Sequence, residues 1–295
     1  MQFAKLKEIT GHSAGIYSVV NSGEMLYSAS ADKYVARWNM LEGIQDKFSI
    51  HFDSPVYAIA IDETENILIA GLANGDLHVF SLDARKELRF FKQHRFALFS
   101  IVINRTKGQF YSADANGNVA VWRLHDQHLL LFLPFDCGKI RRMTLNPNED
   151  LLALCCADGF VRVIDTDFFN ERYRFEAHHD GVSSAVFIDE GSCLITGGKD
   201  AFLRKWDLTN GTLLKSVPAH NYVIYDLLLL NQGNTIVSAS RDKTIKLWDK
   251  QLSFLGRLDQ KVGGHRHSVN VLCKIDEGSF VSASDDKRMI IWNAE

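Results

Sequence analysis

The chain carries four sets of a histidine, a hydroxyl residue and an aspartate, the side chains of a hydrolytic triad. In that chemistry the hydroxyl attacks a carbonyl carbon, the histidine takes its proton and the aspartate orients the histidine. A tryptophan follows each set, and the members are His12, Ser28, Asp32 and Trp38; His178, Thr196, Asp200 and Trp206; His220, Ser238, Asp242 and Trp248; and His265, Ser282, Asp286 and Trp292. An enzyme needs such a set only once, so the repetition argues against a catalytic role.

The same residues mark an internal repeat with a period of about 42 residues. Its anchors are Trp38, Phe80, Trp122, Ile164, Trp206, Trp248 and Trp292. The position six residues before each anchor holds Asp32, Asn74, Asn116, Asp158, Asp200, Asp242 and Asp286, and the histidine position holds His12, His51, His94, Asp136, His178, His220 and His265. Seven copies of one unit therefore fill the chain, and we predict one repeat domain over residues 1–295.

Each unit reads as four short strands joined by turns. In the sixth unit, the strand candidates are Ile224–Leu230, Thr235–Ser240, 244–249 and 253–258. Asn, Asp and Gly stand between these runs, which is typical of antiparallel strands linked by tight turns. No segment of useful length has helical periodicity, so each unit is predicted to be a four-stranded antiparallel meander.

The motifs of the unit resemble those of the WD-repeat family. The matching residues are Gly11-His12, Gly264-His265, Trp206-Asp207, Trp248-Asp249 and the segment 238–249. The resemblance covers essentially the whole chain and implies an all-β, seven-bladed β-propeller with four-stranded antiparallel blades. It also implies that the recurring His, hydroxyl, Asp and Trp side chains form a structural hydrogen-bond chain, here called a tetrad.

The two ends of the chain are predicted to share one blade. The last unit stops at Trp292, one strand short of a complete meander, and residues 3–10 look like the missing strand. The N-terminal strand would then complete the seventh blade and remove an open sheet edge.

Three blades depart from the pattern. Blade three has Asn116 in place of the aspartate, blade two lacks both hydroxyl and tryptophan, and blade four keeps only Asp158. We expect blades two and four to rely on apolar packing instead of a tetrad. Drift on a tolerant scaffold explains this erosion, and a specialised binding edge remains the alternative.

Other chemical motifs give no site. Gly11-His-Ser13-Ala-Gly15 matches the nucleophile elbow of α/β-hydrolases, but that elbow requires a helix after the turn. The paired histidines at 178–179, 265–267 and 125–128 lack a completing cysteine or carboxylate cluster. The five cysteines fit neither a disulfide framework nor a zinc pattern. We therefore expect no metal and no cofactor.

One residue per blade is predicted to face the mouth of the central channel. It lies five residues after the repeat histidine, or six after His51, early on the innermost strand. We call these residues the channel mouth: Tyr17, Tyr57, Phe99, Arg141, Ser183, Tyr225 and Asn270. Lys199 and Arg241, just before two turn aspartates, add cations to the same rim, as do Lys139 and Arg142. Aromatic residues and arginine dominate binding hot spots, so partner binding is favoured over simple packing of the mouth.

Composition narrows the function classes. Lysine and arginine number 33 against 36 acidic residues, a net charge of −3, which argues against nucleic-acid binding through bulk charge. No apolar run approaches the length of a membrane helix, and the N-terminus lacks the apolar core of a signal peptide. The five cysteines do not fit a disulfide framework, which indicates a reducing compartment, so we expect a cytosolic protein. Acidic turns are expected on the rim opposite the channel mouth.

The resulting functional prediction is a non-enzymatic scaffold that binds another protein or a peptide. The partner is expected to be acidic or aromatic and to dock over Tyr17, Tyr57, Phe99 and Tyr225, with Arg141, Lys199 and Arg241 supplying positive charge. The protein would act as a monomer within a larger complex. Two alternatives stay open: an RNA-associated scaffold, since aromatics with cations can stack bases, and an enzyme at the channel mouth, whose seven positions hold no carboxylate.

Overall fold

The computed structural model describes residues 3–294, which form seven four-stranded antiparallel sheets. The innermost strands of neighbouring sheets contact one another in a closed ring. The predicted fold class, an all-β seven-bladed propeller, is confirmed.

The strands are numbered in chain order, and each blade uses them from the channel outward. The innermost strands are β2 (Ile16–Ser22), β6 (Val56–Asp62), β10 (Leu98–Asn104), β14 (Ile140–Leu145), β18 (Val182–Ile188), β22 (Ile224–Leu230) and β26 (Val269–Lys274). The second strands are β3 (Met25–Ser30), β7 (Ile67–Leu72), β11 (Gln109–Asp114), β15 (Leu151–Cys156), β19 (Cys193–Gly198), β23 (Thr235–Ser240) and β27 (Ser279–Ser284).

The third strands are β4 (Tyr34–Asn39), β8 (Leu77–Ser81), β12 (Asn118–Arg123), β16 (Phe160–Asp165), β20 (Phe202–Asp207), β24 (Ile245–Asp249) and β28 (Arg288–Ala294). The outer strands are β5 (Ile44–His51), β9 (Lys86–Phe91), β13 (Leu129–Pro134), β17 (Glu171–Glu176), β21 (Thr212–Pro218), β25 (Phe254–Leu258) and β1 (Phe3–Thr10). Short 3₁₀ turns cover Asp189–Gly191 and Gln260–Val262. Residues 3–294 contain no helix with the length and apolarity of a membrane span.

The apolar core lies between adjacent blades. The second strands are buried along most of their length because a neighbouring sheet covers each of their faces, whereas an outer strand such as β9 is mostly exposed. Between blades seven and one, for example, Ile16, Leu26 and Trp38 pack with Val271 and Val281. Burial of this apolar surface, at about 25 cal/mol per Å², is the main force holding neighbouring blades together.

Strand β1 closes the ring by pairing with β28. The register runs from Phe3 opposite Ala294 to Thr10 opposite Arg288. Ile9 is 1% exposed, and the ring of Phe3 meets that of Phe280 edge-on at 5.4 Å. The predicted closure of the seventh blade by the N-terminal strand is confirmed.

Every innermost strand has a β-bulge near its start. The register against the second strand shifts by one residue, and the bulged residues are Tyr17, Tyr57, Phe99, Arg141, Ser183, Tyr225 and Asn270. A bulge re-aims the side chain of the extra residue. These are the seven positions that the repeat spacing assigned to the channel mouth.

The residue after the bulge links several neighbouring blades. In three blades its side-chain oxygen accepts a hydrogen bond from a backbone N–H of the next innermost strand. The pairs are Ser18 with Ile59 at 3.2 Å, Ser100 with Met143 at 2.9 Å, and Asp226 with Leu272 at 2.8 Å. Each bond gives a backbone donor of one innermost strand an acceptor on the neighbouring blade.

Candidate functional site

The first candidate, the repeated histidine set, is a closed hydrogen-bond chain in each of the four complete blades. In blade one, Nδ1 of His12 lies 2.8 Å from Asp32 Oδ2 and its Nε2 lies 2.7 Å from Ser28 Oγ. The indole of Trp38 donates to the same hydroxyl at 2.7 Å. The corresponding bonds in blades five, six and seven measure 2.7 to 3.1 Å. The hydroxyls are fully buried, so no substrate carbonyl can reach them.

The charges of these sets follow from burial and hydrogen bonding. Burial lowers the pKa of His178 and His220, so both imidazoles are neutral near pH 7. Burial opposes ionisation of Asp242, but hydrogen bonds from His220, Thr244 and the backbone hold its pKa well below the usual range. The aspartate therefore carries the charge and accepts the Nδ1 proton, which fixes the histidine tautomer for a structural role.

Blade three has a complete tetrad that the sequence pattern missed. Nδ1 of His94 lies 2.8 Å from Asp114 Oδ2, and Trp122 and His94 share the hydroxyl of Ser112. The acid therefore stands two residues before the expected position, where Asn116 is exposed. The signal was present, since Asp114 occupies the position at which blades one, six and seven have serine.

Blade two contradicts the assignment of His51. That residue ends β5 and is exposed, while the next residue, Phe52, is 4% exposed. The ring of Phe52 meets Phe80 edge-on at 5.7 Å and His78 at 5.1 Å. A ring-on-ring contact thus replaces the histidine–tryptophan part of the tetrad, in line with the apolar packing expected for this blade.

Blade four has the expected apolar packing at its tetrad positions, where Leu154 and Ile164 are fully buried in one cluster, but it also contains an ion pair that the sequence analysis did not foresee. The guanidinium of Arg162, only 5% exposed, forms a 2.7 Å ion pair with Asp158. Arg162 lies two residues before the anchor Ile164 and reaches the turn from the third strand. Blade four thus keeps an arginine–aspartate pair like that of Arg204 and Asp200 in blade five, but without the histidine that also holds the aspartate there.

The second candidate, the channel mouth, is a cavity of about 190 Å³. Its lining residues are Tyr17, Tyr57, Phe99, Arg141, Arg142, Tyr225 and Asn270. The five aromatic and arginine positions proposed from the sequence therefore come together around one opening. Ser183 is buried outside this lining and donates to the carbonyls of Ile224 and Gly197.

Aromatic rings form a continuous arc over blades one to three. Tyr17 meets Tyr57 edge-on at 5.2 Å, and Tyr57 stacks on Phe99 at 5.2 Å. The ammonium of Lys139 lies 4.5 Å from the centre of the Phe99 ring. Such contacts hold the rings in fixed positions, so the arc is a preformed surface.

Arg141 occupies the side of the mouth facing Tyr225. Its guanidinium carbon lies 4.5 Å from the centre of the Tyr225 ring, and its Nε is buried without a hydrogen-bond partner. Burial lowers the pKa of Arg141. A buried cation without a partner is costly, which marks this residue as a candidate binding group.

Further cations surround the mouth on blades four to six. Lys199 and Arg241 are exposed, and the guanidinium of Arg241 lies 5.9 Å from the ring of Tyr222. Burial, together with repulsion by Arg141 and Lys199, lowers the pKa of Lys139. These cations therefore give one side of the mouth a positive potential.

Below the mouth, a partly buried ion pair crosses the channel from blade four to blade six. Arg142 donates to Asp226 at 3.0 Å, and the carboxylate also accepts from the backbone of Leu227 and Leu272. Asp226 is 1% exposed, and burial raises its pKa. Sequence reasoning placed Arg142 among the free cations of the rim and missed this partner. The channel continues beneath as a cavity of about 540 Å³.

The acidic turns of the opposite rim take part in bonds between hairpins. Glu63 accepts from the hydroxyl of Ser22, and Glu149 accepts from the backbone of Thr106. Lys205 and Lys250 both lie within 3.3 Å of Asp189. Much of the negative charge on this rim is therefore used within the fold. In the described part of the chain, no three His, Cys, Asp or Glu side chains are grouped as metal ligands, and the five cysteines are free.

Comparison with known proteins identifies the repeat. The family described as WD domain, G-beta repeat matches residues 3–39, 169–207, 211–249 and 256–293, more than half of the chain. Among similar proteins, U3 small nucleolar RNA-associated protein 21 of Saccharomyces cerevisiae is 23% identical over 64% of this chain and 19% of its own length. Human kinesin-like protein KIF21A is 22% identical over 96% of this chain and 18% of its own length.

Autophagy-related protein 16 of Arabidopsis thaliana is 30% identical over 49% of this chain and 30% of its own length. The chain thus spans less than a third of each of these relatives. The matched repeats agree with the seven four-stranded sheets and with their His–hydroxyl–Trp networks. The chain belongs to the WD40 repeat family.

Proposed function

We propose that the protein is a non-enzymatic interaction scaffold that binds a protein or peptide at the channel mouth. The observation that carries this proposal is the preformed arc of Tyr17, Tyr57 and Phe99, which faces Arg141 and Tyr225 across one cavity. Aromatic and arginine side chains in a partly desolvated pocket are typical of binding hot spots.

The charge around the mouth favours an acidic or aromatic-acidic partner. Arg141, Lys199 and Arg241 lie on one side, and the aromatic arc supplies contact area on the other. We infer a monomer that works within a larger, cytosolic complex. The three named relatives are much longer chains, which is consistent with a propeller serving as one module of an assembly.

The state of the polar groups supports a role other than catalysis. The tetrad hydroxyls are buried and bonded on both sides, as in Ser28 between His12 and Trp38. Asp226, which follows the mouth residue Tyr225 in the chain, is held by Arg142 and two backbone donors. A general base needs an accessible lone pair near the substrate, and these groups do not offer one.

A second candidate is an RNA-associated scaffold, which the printed name of the yeast relative favours. Bases would have to stack on rings at the mouth. The faces available are reduced, because Tyr57 and Phe99 stack on each other and Arg141 covers Tyr225. A filter-binding assay with single-stranded RNA at several salt concentrations distinguishes this candidate, since phosphate contacts give a steep salt dependence.

The main experiment compares partner capture by two variants of the full chain. The first replaces Tyr17, Tyr57 and Tyr225 with alanine; the control replaces Leu213, Phe168 and Phe254, exposed apolar residues away from the mouth, with alanine. Crosslinking mass spectrometry in native lysate identifies the partners and the rim that they contact. We expect the first variant to lose partners that the control retains. Equal capture by both variants would show that the channel mouth is not the binding surface.

A further inference from the structure

We infer that the channel mouth is a receptor for one carboxylate group of the partner, which enters the 190 Å³ cavity and pairs with Arg141. The carboxylate belongs either to an acidic side chain or to a chain terminus. This inference rests on the proposed scaffold function and specifies the chemistry of its anchor.

The first support is the unused hydrogen-bonding capacity of Arg141. A guanidinium has five N–H donors. Between residues 3 and 294, none of these donors forms a hydrogen bond or salt bridge, and Nε is buried without a partner. Two other arginines of the same blade differ: Arg142 is paired with Asp226, and Arg162 with Asp158. Of the two arginines that blade four places at the channel mouth, Arg141 is therefore the one available to an external anion.

The protein's own carboxylates near the mouth are already occupied. Asp226 accepts from Arg142 and from the backbone of Leu227 and Leu272. Asp285 accepts from the amide of Asn270, which also donates to the carbonyl of Ile16. Within the described residues, neither acid forms a salt bridge with Arg141, and turning towards it would cost these hydrogen bonds. Asp226 acts on Arg141 through space without a hydrogen bond, so the N–H donors of Arg141 remain available to an anion from outside the fold.

The second support is a set of uncommitted hydroxyls in the same cavity. Within the described residues, the hydroxyls of Tyr17, Tyr57 and Tyr225 have no hydrogen-bond partner, although all three line the cavity with Arg141. Burial raises the pKa of Tyr17, and the nearby Asp285 adds to this effect, so its hydroxyl stays protonated and can donate. A carboxylate accepts several hydrogen bonds, and a guanidinium with phenolic donors supplies them.

The volume of the cavity and the positive charge around it disfavour other classes of ligand. A water molecule takes about 30 Å³ of liquid volume, so the cavity holds a carboxylate with a short stem but is smaller than the roughly 300 Å³ typical of drug-sized ligands. A cation is disfavoured because Arg141 already covers the face of Tyr225 and Lys139 covers the face of Phe99. The mouth is therefore complementary to a small anionic group on a larger partner.

The test uses the full chain and three short peptides that differ only in carboxylates. One is acetyl-Gly-Tyr-Glu-Tyr-Gly-amide, the second is acetyl-Gly-Tyr-Gln-Tyr-Gly with a free C-terminus, and the third is the glutamine peptide as an amide. Binding is followed by NMR of ring-labelled tyrosines, which detects millimolar affinities. We expect one carboxylate peptide to bind about tenfold more tightly than the neutral peptide, and which one does so identifies the source of the group. Equal binding of all three, or no saturable shift, overturns the inference.

Two variants of equal charge change locate the interaction. Arg141→Gln should remove the tenfold preference, whereas Arg89→Gln, on the exposed outer strand β9, should change it by no more than about twofold. Melting curves check that both variants fold. A preference that survives in Arg141→Gln overturns the inference.

Partner capture separates the two proposals. If Arg141→Gln captures the cellular partner as wild type does while the triple tyrosine variant does not, the scaffold proposal stands and the carboxylate anchor falls. If the triple tyrosine variant also captures it normally, both fall.

Discussion

Asp114 offers the sharpest test of how the repeat builds its polar network. The repeat alignment places Asn116 at the acid position of blade three, whereas the structure gives that role to Asp114. Asp114 is fully buried and accepts from His94 and from the backbone of Asn116 and Asn118 at 2.8, 2.9 and 3.0 Å. We predict that Asp114→Ala destabilises the protein strongly and that Asn116→Ala does not.

The size of the stability loss follows from the hydrogen-bond donors that lose their acceptor in the variant. Asp114→Ala leaves the Nδ1–H of His94 and two backbone N–H groups without their acceptor, and each unsatisfied buried donor costs about 1–3 kcal/mol. Water entering the space recovers part of this, so we expect a loss of about 3 kcal/mol. For a chain of this size that lowers the melting temperature by about 5 °C.

Thermal unfolding followed by circular dichroism measures the effect. Asn116→Ala is the matched control, because its exposed side chain forms no hydrogen bond within residues 3–294, and it should stay within about 0.5 kcal/mol of wild type. Asp114→Asn, which keeps one acceptor oxygen, should fall between the two. If Asn116→Ala costs as much as Asp114→Ala, or if neither costs anything, the assignment of the acid is wrong.

A pH series adds a second criterion for the same residue. Burial opposes ionisation of Asp114, but hydrogen bonds from His94, Asn118 and the backbone lower its pKa. A carboxyl with a lowered pKa in the folded state stabilises the fold above its ordinary pKa of about 4, and the contribution is lost as the pH falls through the lowered value. The gap between wild type and Asp114→Ala should therefore narrow below about pH 4.

Three further predictions concern stability. Arg141→Met should raise the melting temperature by about 2 °C, because it removes a buried charge that has no partner; a clear decrease would show that Arg141 is paired within the fold. Deleting residues 1–10 should lower it by about 10 °C or more, since the buried Ile9 is lost and β28 becomes an open edge, while Leu6→Ser, at a 65% exposed position of the same strand, should be nearly neutral. Wild type should lose stability as the pH falls through about 6.5, because His220 is held neutral in the fold and the unfolded chain takes up the proton first. The His220→Asn variant should show a weaker pH dependence, and an identical slope would contradict the neutral assignment.

The repeat made the scaffold predictable from sequence, because its spacing fixes both strands and bulges. Counting five residues from a repeat histidine led to Tyr17, Phe99 and Tyr225, and each proved to be the bulged residue of its strand. Closure by residues 3–10 followed from one missing strand in the last unit. These features depend on local spacing, which a single sequence displays directly.

The substituted networks were missed because different residues reach the same point in space from different positions in the repeat. Asp114 acts from the end of a strand and Arg162 from the neighbouring strand, whereas the repeat acid lies in the turn. Phe52 fills the place assigned to His51 because the loop before β6 differs by one residue. An alignment that compares only equivalent positions overlooks such replacements, because the new acid or cation stands at a different repeat position.

The ion pair between Arg142 and Asp226 was missed for a related reason. The two residues are 84 positions apart and belong to blades that are not neighbours, so they meet only because the ring closes around the channel. Sequence analysis counted Arg142 among the cations of the rim, but its charge is paired with Asp226, so within the described chain Arg141 is the one of these two arginines that has no salt bridge.

The bulges place the residues that line the channel mouth apart from the residues that form the sheet pairing and the apolar cores. Each bulged residue lies outside the regular pairing of its sheet, and the seven positions already hold tyrosine, phenylalanine, arginine, serine and asparagine on one common scaffold. In the part of the chain that the structure describes, none of the seven residues belongs to an inter-blade core cluster, although Ser183 and Asn270 hydrogen-bond to the next blade. The other five positions therefore lie outside both the sheet pairing and the apolar cores, so a duplicated copy of this ring would acquire a new ligand through a few substitutions at its narrow opening.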